Sequence, residues 1–151
     1  MPTAARLVAG MALGAACAAM VLVLINVYPD ERFDRWTTDF LMVFGAVGFL
    51  VGWKSLGRKV ETEGRTGIIL GVRAAITATV WIAFVLAIIT VSGNILDADF
   101  QGAEPMEAVL QLADKTLEYL AFVLHPRVAG IGLFLGVLVG VLTRNTHHRW
   151  S

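Results

Sequence analysis

LVAGMALGAACAAMVLVLINV, residues 7–27, is a run of 21 positions without a charged side chain. A helix rising about 1.5 Å per residue over that length covers a hydrocarbon core of roughly 30 Å. The run therefore predicts a membrane-crossing helix, and the rest of the chain repeats the signal. Residues 40–56 predict a second crossing, with Lys54 near its end extending its ammonium to the headgroups and Trp53 at the interface. Residues 67–96 predict a third, whose only charge is Arg73, followed by 23 uncharged positions from Ala74 to Leu96. Residues 127–143 predict a fourth, short and flanked by Arg127 and Arg144. Four crossings nearly exhaust 151 residues, and composition agrees: 57% of positions are hydrophobic and 16% charged, against about a quarter charged in a soluble domain. The expected architecture is an all-α membrane protein, a single membrane domain over residues 1–151 with four transmembrane helices in a compact bundle.

A fifth element reads differently. From residue 106 to 124 the apolar Met106, Val109, Leu110, Ala113, Leu117, Leu120, Ala121 and Leu124 recur at helical spacing, opposite Glu107, Gln111, Asp114, Lys115 and Glu118. This is an amphipathic helix. It either lies in the interface with its apolar face in the headgroup boundary or packs over the ends of the spans. His125-Pro126 should end it, because proline disfavours helix in the residue before it and suits the first turn of a new one. A single kinked helix running from Met106 to Thr143 is the alternative.

Orientation follows from the basic residues. Eight of the 12 Lys and Arg (Arg6, Lys54, Arg58, Lys59, Arg65, Arg73, Arg144, Arg149) belong to the termini and the central connection, against Arg32, Arg35, Lys115 and Arg127 on the other face. Acids are distributed the opposite way, only Glu61 and Glu63 falling in the basic group. The excess of Lys and Arg on cytoplasmic loops then puts both termini and the central connection in the cytoplasm of a bacterial inner membrane. The N-terminus also carries features of a signal peptide or lipoprotein anchor. Against that, the apolar run continues past Cys17 to Ile25, and Gly14 stands where a lipobox normally has leucine. Cys17 is the only cysteine, so no disulfide forms within the chain.

Every predicted span carries small residues four apart: Gly10, Gly14 and Ala18; Gly48 and Gly52; Gly67, Gly71 and Ala75; Gly132, Gly136 and Gly140. Such stripes let helix backbones approach closely, within the chain or between copies of it. None of these glycines belongs to a nucleotide-binding pattern. Candidates for chemistry are few. Arg73 inside a span is either a functional charge or a side chain extending back to the basic interface. His125 and Arg127 flank a helix N-terminus that could hold an anion, or they cap the turn and anchor in headgroups. Asn26, Thr77 and Thr79 are expected to bond between helices. His147 and His148 lack the further ligands zinc requires. No metal site, no cofactor and no catalytic residue is expected, and no nucleic-acid partner; an enzyme is not the expected reading.

The opening Met1-Pro2-Thr3-Ala4-Ala5-Arg6, the Gly52-Trp53-Lys54-Ser55-Leu56-Gly57-Arg58 element, the Glu118-Tyr119 pair, and Pro126 followed by a glycine-rich last span resemble the TrgA family along the whole chain. These are small alphaproteobacterial membrane proteins associated with tellurite resistance. The chain departs from the pattern at His125, where the relatives are expected to carry an acid. The resemblance implies a phenotype and carries no reaction with it. Two function classes stay open. One is tolerance of the oxyanion, with Arg73, His125 and Arg127 as its contacts. The other is an accessory or scaffold subunit, embedded in the bilayer, docking on a second copy of the chain or on a larger membrane complex.

Overall fold

The computed structural model describes residues 4–28, 37–62, 66–96 and 105–150. All of those residues but Tyr28, Thr66, Leu124 and His125 are helical, with no strand among them, and the helices form one compact arrangement. We label them α1 (Ala4–Val27), α2 (Thr37–Val51), a π-helical segment (Gly52–Gly57), α3 (Arg58–Thr62), α4 (Gly67–Leu96), α5 (Pro105–Val123) and α6 (Pro126–Trp150). Among the described residues four stretches are long and apolar enough to cross a membrane: Arg6–Val27, Asp39–Val60, Gly67–Gly93 and Pro126–His147.

α4 covers the residues of the expected third span, and the other helices run past the spans expected on them. α1 begins at Ala4 rather than Leu7. Beyond Leu56, where the second span was expected to end, helical backbone continues through the π segment and α3 to Thr62. Lys54, Arg58 and Lys59 are good helix formers, so the basic connection is largely the end of that helix. The fourth helix likewise runs beyond Thr143 to Trp150; cations in its last turns suit the partial negative charge of a helix C-terminus. Arg32, Arg35 and Arg65 lie outside the described residues.

α1 is the hub, packing on α2 and the π segment along one side and on α6 along another, while α4 packs on α6 and α5. Ala9, Leu13, Cys17, Val21 and Leu24 of α1 are buried at spacings of three and four, against Phe44, Leu70, Ala74, Ala78, Ile82, Val128 and Val139 from the other helices. Glycines sit where helices come closest. A methyl group added at Gly48 would lie 2.9 Å from the Leu13 carbonyl oxygen, and one added at Gly67 would lie 2.8 Å from that of Gly140. Methyl groups at Gly52, Gly71 and Gly140 would run into the carbonyls of Ala9, Gly136 and Gly67 respectively. Gly10 and Gly14 face Phe49 and the Gly45 carbonyl. Gly132 differs, because the nearest atom to an added methyl there is the Met20 Cε at 3.5 Å and no backbone lies close.

The π segment has a packing reason. On an α-helix, residues five apart stand about 140° from one another, so Gly52 and Gly57 could not both face α1. A π turn, which closes on the fifth residue ahead, returns them to one face. Gly52 then meets Ala9, and a methyl at Gly57 would lie 2.7 Å from the Arg6 Cα.

α5 packs on the bundle by the stripe that carries Tyr119 and Val123, and the apolar stripe read from the sequence faces outward, as the first of its two alternatives has it. Tyr119 and Val123 pack against the core, and Leu112 and Thr116 on the same side are half-buried. Met106 (64% exposed), Val109, Leu110, Leu117 and Leu124 (76% exposed) look outward, with Glu107, Asp114 and Glu118 on a third face. At about 100° per residue these are three separate stripes of one helix.

Candidate functional site

The α5–α6 junction is the most specific polar construction in the molecule. α5 ends at Val123, Leu124-His125 form the turn, and Pro126 is the first residue of α6, so the kinked-helix alternative does not hold. In a continuous helix the carbonyl of Phe122 would accept from the amide of residue 126, and proline has none. The Tyr28 hydroxyl donates to that carbonyl instead, at 3.5 Å. The Tyr28 ring stands edge-on to Phe122 (5.4 Å between centroids) and to His125 (5.7 Å). On either side of the break the backbone is satisfied, Leu124 donating to Leu120 and Ala129 to His125. The α1 terminus thus clamps the turn. A second tie joins α5 to α4, where the hydroxyls of Thr90 and Tyr119 are 2.8 Å apart.

His125 is half-buried, and its Nδ1 is enclosed with no hydrogen-bond partner among the described residues. Arg127 is exposed beside it. Arg73 is exposed on α4, two residues beyond Gly71, which touches Gly136. Gly136 is nine residues from Arg127, about 13 Å along α6 at 1.5 Å per residue. The three proposed anion contacts therefore form no single cluster: His125 and Arg127 stand at the turn, and Arg73 stands at the α4–α6 crossing.

The other polar candidates turn inward on their own helices. Asn26 Nδ2 donates to the Leu22 carbonyl at 2.9 Å and the Thr77 hydroxyl to the Arg73 carbonyl at 2.8 Å, so neither makes the expected interhelical bond. In an apolar setting a short side chain satisfies itself most easily on the carbonyl four residues back. Thr143, fully buried, does the same with Val139. The interhelical bond that does form, Thr90 to Tyr119, was not legible as a pair, because nothing in the sequence sets α5 against the far end of α4. Among the described residues no group of three or more His, Cys, Asp or Glu is placed to hold a metal ion.

Between the helices lies a cavity of about 370 Å³. Its floor is Cys17 and Leu24 of α1, Phe44 of α2, Ala78, Ile82 and Leu86 of α4, and Val128 of α6, all buried. Met20, Phe122, Val123 and Gly132 close the sides, and among the described residues the only hydroxyls on the wall are those of Thr79 and Tyr119. Neither Arg73, His125 nor Arg127 lines it. No family model, curated protein or solved structure matches the chain.

Proposed function

We propose that the chain is a multi-pass protein of the bacterial inner membrane, both termini cytoplasmic, that supports tellurite tolerance as an accessory subunit and does not itself conduct the oxyanion. The observation that carries this reading is the apolar interior. A dianionic or monoanionic oxyanion crossing the bundle needs charged or hydrogen-bonding partners along its way, since a bare ion in an apolar medium is strongly disfavoured. The cavity wall offers two hydroxyls, and one of these is already engaged with Thr90. The tellurite connection comes from the resemblance to the TrgA family. The cytoplasmic placing of the termini rests on the basic residues, of which Lys54 and Arg58 are exposed at one end of the second span. The glycine stripes serve helix packing on this reading, which the close approaches at Gly48, Gly52, Gly67, Gly71 and Gly140 support. Outward-facing Met106, Leu110, Leu117 and Leu124 supply the surface for a larger membrane complex.

The test is genetic. Deleting the gene should sensitise cells to tellurite, while Arg73→Gln and Arg127→Gln, made at normal protein levels, should keep tolerance. Sensitivity in either substitution at unchanged protein level would instead assign that arginine to the oxyanion and remove the accessory reading.

A further inference from the structure

We infer that the cavity is a binding site for an acyl chain of a bilayer phospholipid, entering sideways between α4 and α6 beneath α5. The inference rests on the reading of the chain as membrane-embedded. Its first support is how α4 and α6 diverge. They touch through backbone at Gly67, Gly71, Gly136 and Gly140, and the Ala75 methyl still reaches Gly136, but at Gly132 nothing of α4 is close. The two helices thus part from one end toward the other, and the gap between them is the cavity. α5 closes the wide end with Tyr119, Phe122 and Val123.

The second support is the wall itself, which passes from buried to exposed without becoming polar. Cys17, Ala78, Ile82 and Val128 at the floor are each less than a tenth exposed, whereas Ile76 (56%), Val80 (48%), Leu133 (42%) and Leu124 (76%) line the same space and face outward. A soluble ligand would have to cross this apolar rim; a lipid tail is already there. Apolar cavities stay dry, and a void of about 150 Å³ already takes benzene. This one, at about 370 Å³, has room for a longer apolar guest and offers no set of convergent polar groups that would orient a polar one. Filling it also restores the contacts that an empty space denies its lining.

The full chain is reconstituted in vesicles of phosphatidylethanolamine and phosphatidylglycerol containing a phosphatidylethanolamine with a diazirine near the end of one acyl chain, irradiated, and the adducts are mapped by mass spectrometry. Adducts are expected at Cys17, Ala78 or Ile82, which the bulk bilayer cannot reach, as well as at the outward-facing Ile69, Ile89 and Leu142. Gly132→Leu and, independently, Ala129→Leu should abolish the interior adducts and leave the outer ones, and an unfolding midpoint in detergent like that of wild type reports that each variant has folded. Wild-type adducts confined to outward-facing residues would overturn the proposal, as would interior adducts that persist in both variants. Absence of adducts everywhere would overturn the membrane reading and the acyl-chain site with it.

Discussion

Glycine positions separate into those that touch a neighbouring backbone and those that do not, and the spacing of four separated them except at Gly57, which touches backbone outside any stripe, and Gly132, which lies in a stripe and touches none. Gly71 and Gly140 stand against carbonyls of the facing helix, whereas Gly93 and Gly130 have nothing within 4 Å of an added methyl. Gly71→Leu is expected to lower stability by about 1–3 kcal/mol, the range for overpacking a closed contact, read as a shift in the denaturing-detergent midpoint. Gly93→Ala and Gly130→Ala should instead be neutral or stabilising by up to about 1 kcal/mol, the entropic advantage of alanine within a helix. Equal effects at all three sites would contradict the packing geometry. A stripe of small residues four apart showed where backbones could meet, but not which rung carries the contact. Gly132 lies in the stripe and faces a methionine side chain across the cavity. In the same way Asn26 and Thr77 read as interhelical donors and bond within their own helices, because a polar side chain's nearest carbonyl is local whatever the tertiary fold.

α5 is the element for which the sequence answered half the question. Its helical period, its polar stripe and its end at His125-Pro126 were legible, since these are local properties of spacing and proline. Which side meets the bundle was not, because an apolar stripe suits the headgroup boundary as well as packing over the spans; the structure turns inward the stripe carrying Leu112, Thr116, Tyr119 and Val123. Thr90 and Tyr119 fix that choice. A double-mutant cycle of Thr90→Val and Tyr119→Phe in detergent-unfolding measurements should give a coupling of about 0.6 kcal/mol, the average for interhelical bonds in membranes; additive effects would mean the two hydroxyls do not meet. The turn makes its own prediction. Pro126→Ala restores an amide that can donate to the Phe122 carbonyl, so hydrogen exchange at His125, Arg127 and Val128 should slow as α5 and α6 become one helix. Unchanged exchange would show that the Tyr28 clamp, and not the proline, holds the break. The π segment was invisible for a related reason: Gly52 and Gly57 are five apart, a spacing that has no meaning on an α-helix and acquires one only once α1 is placed beside it.

At the scale of the whole molecule, the four apolar helices followed from lengths of uncharged sequence. Their ends were less well drawn, since a charge marks where a helix leaves hydrocarbon and not where its hydrogen bonds stop, as Lys54 and Arg58 within continuous helix illustrate. The cavity could not have been read at all, because it arises from the divergence of α4 and α6 and belongs to no segment. The candidate anion contacts were individually visible, and they stand apart, Arg73 near the α4–α6 crossing and Arg127 about 13 Å along α6 from it. The proposed topology has four crossings, with the basic connection and both ends of the chain on the same face. Fusing a reporter active only in the cytoplasm, and one active only outside it, after Glu63, Gln101 and Ser151 tests that claim most directly. Cytoplasmic activity is expected at Glu63 and Ser151 and external activity at Gln101; Glu63 and Gln101 reporting from the same face would contradict it.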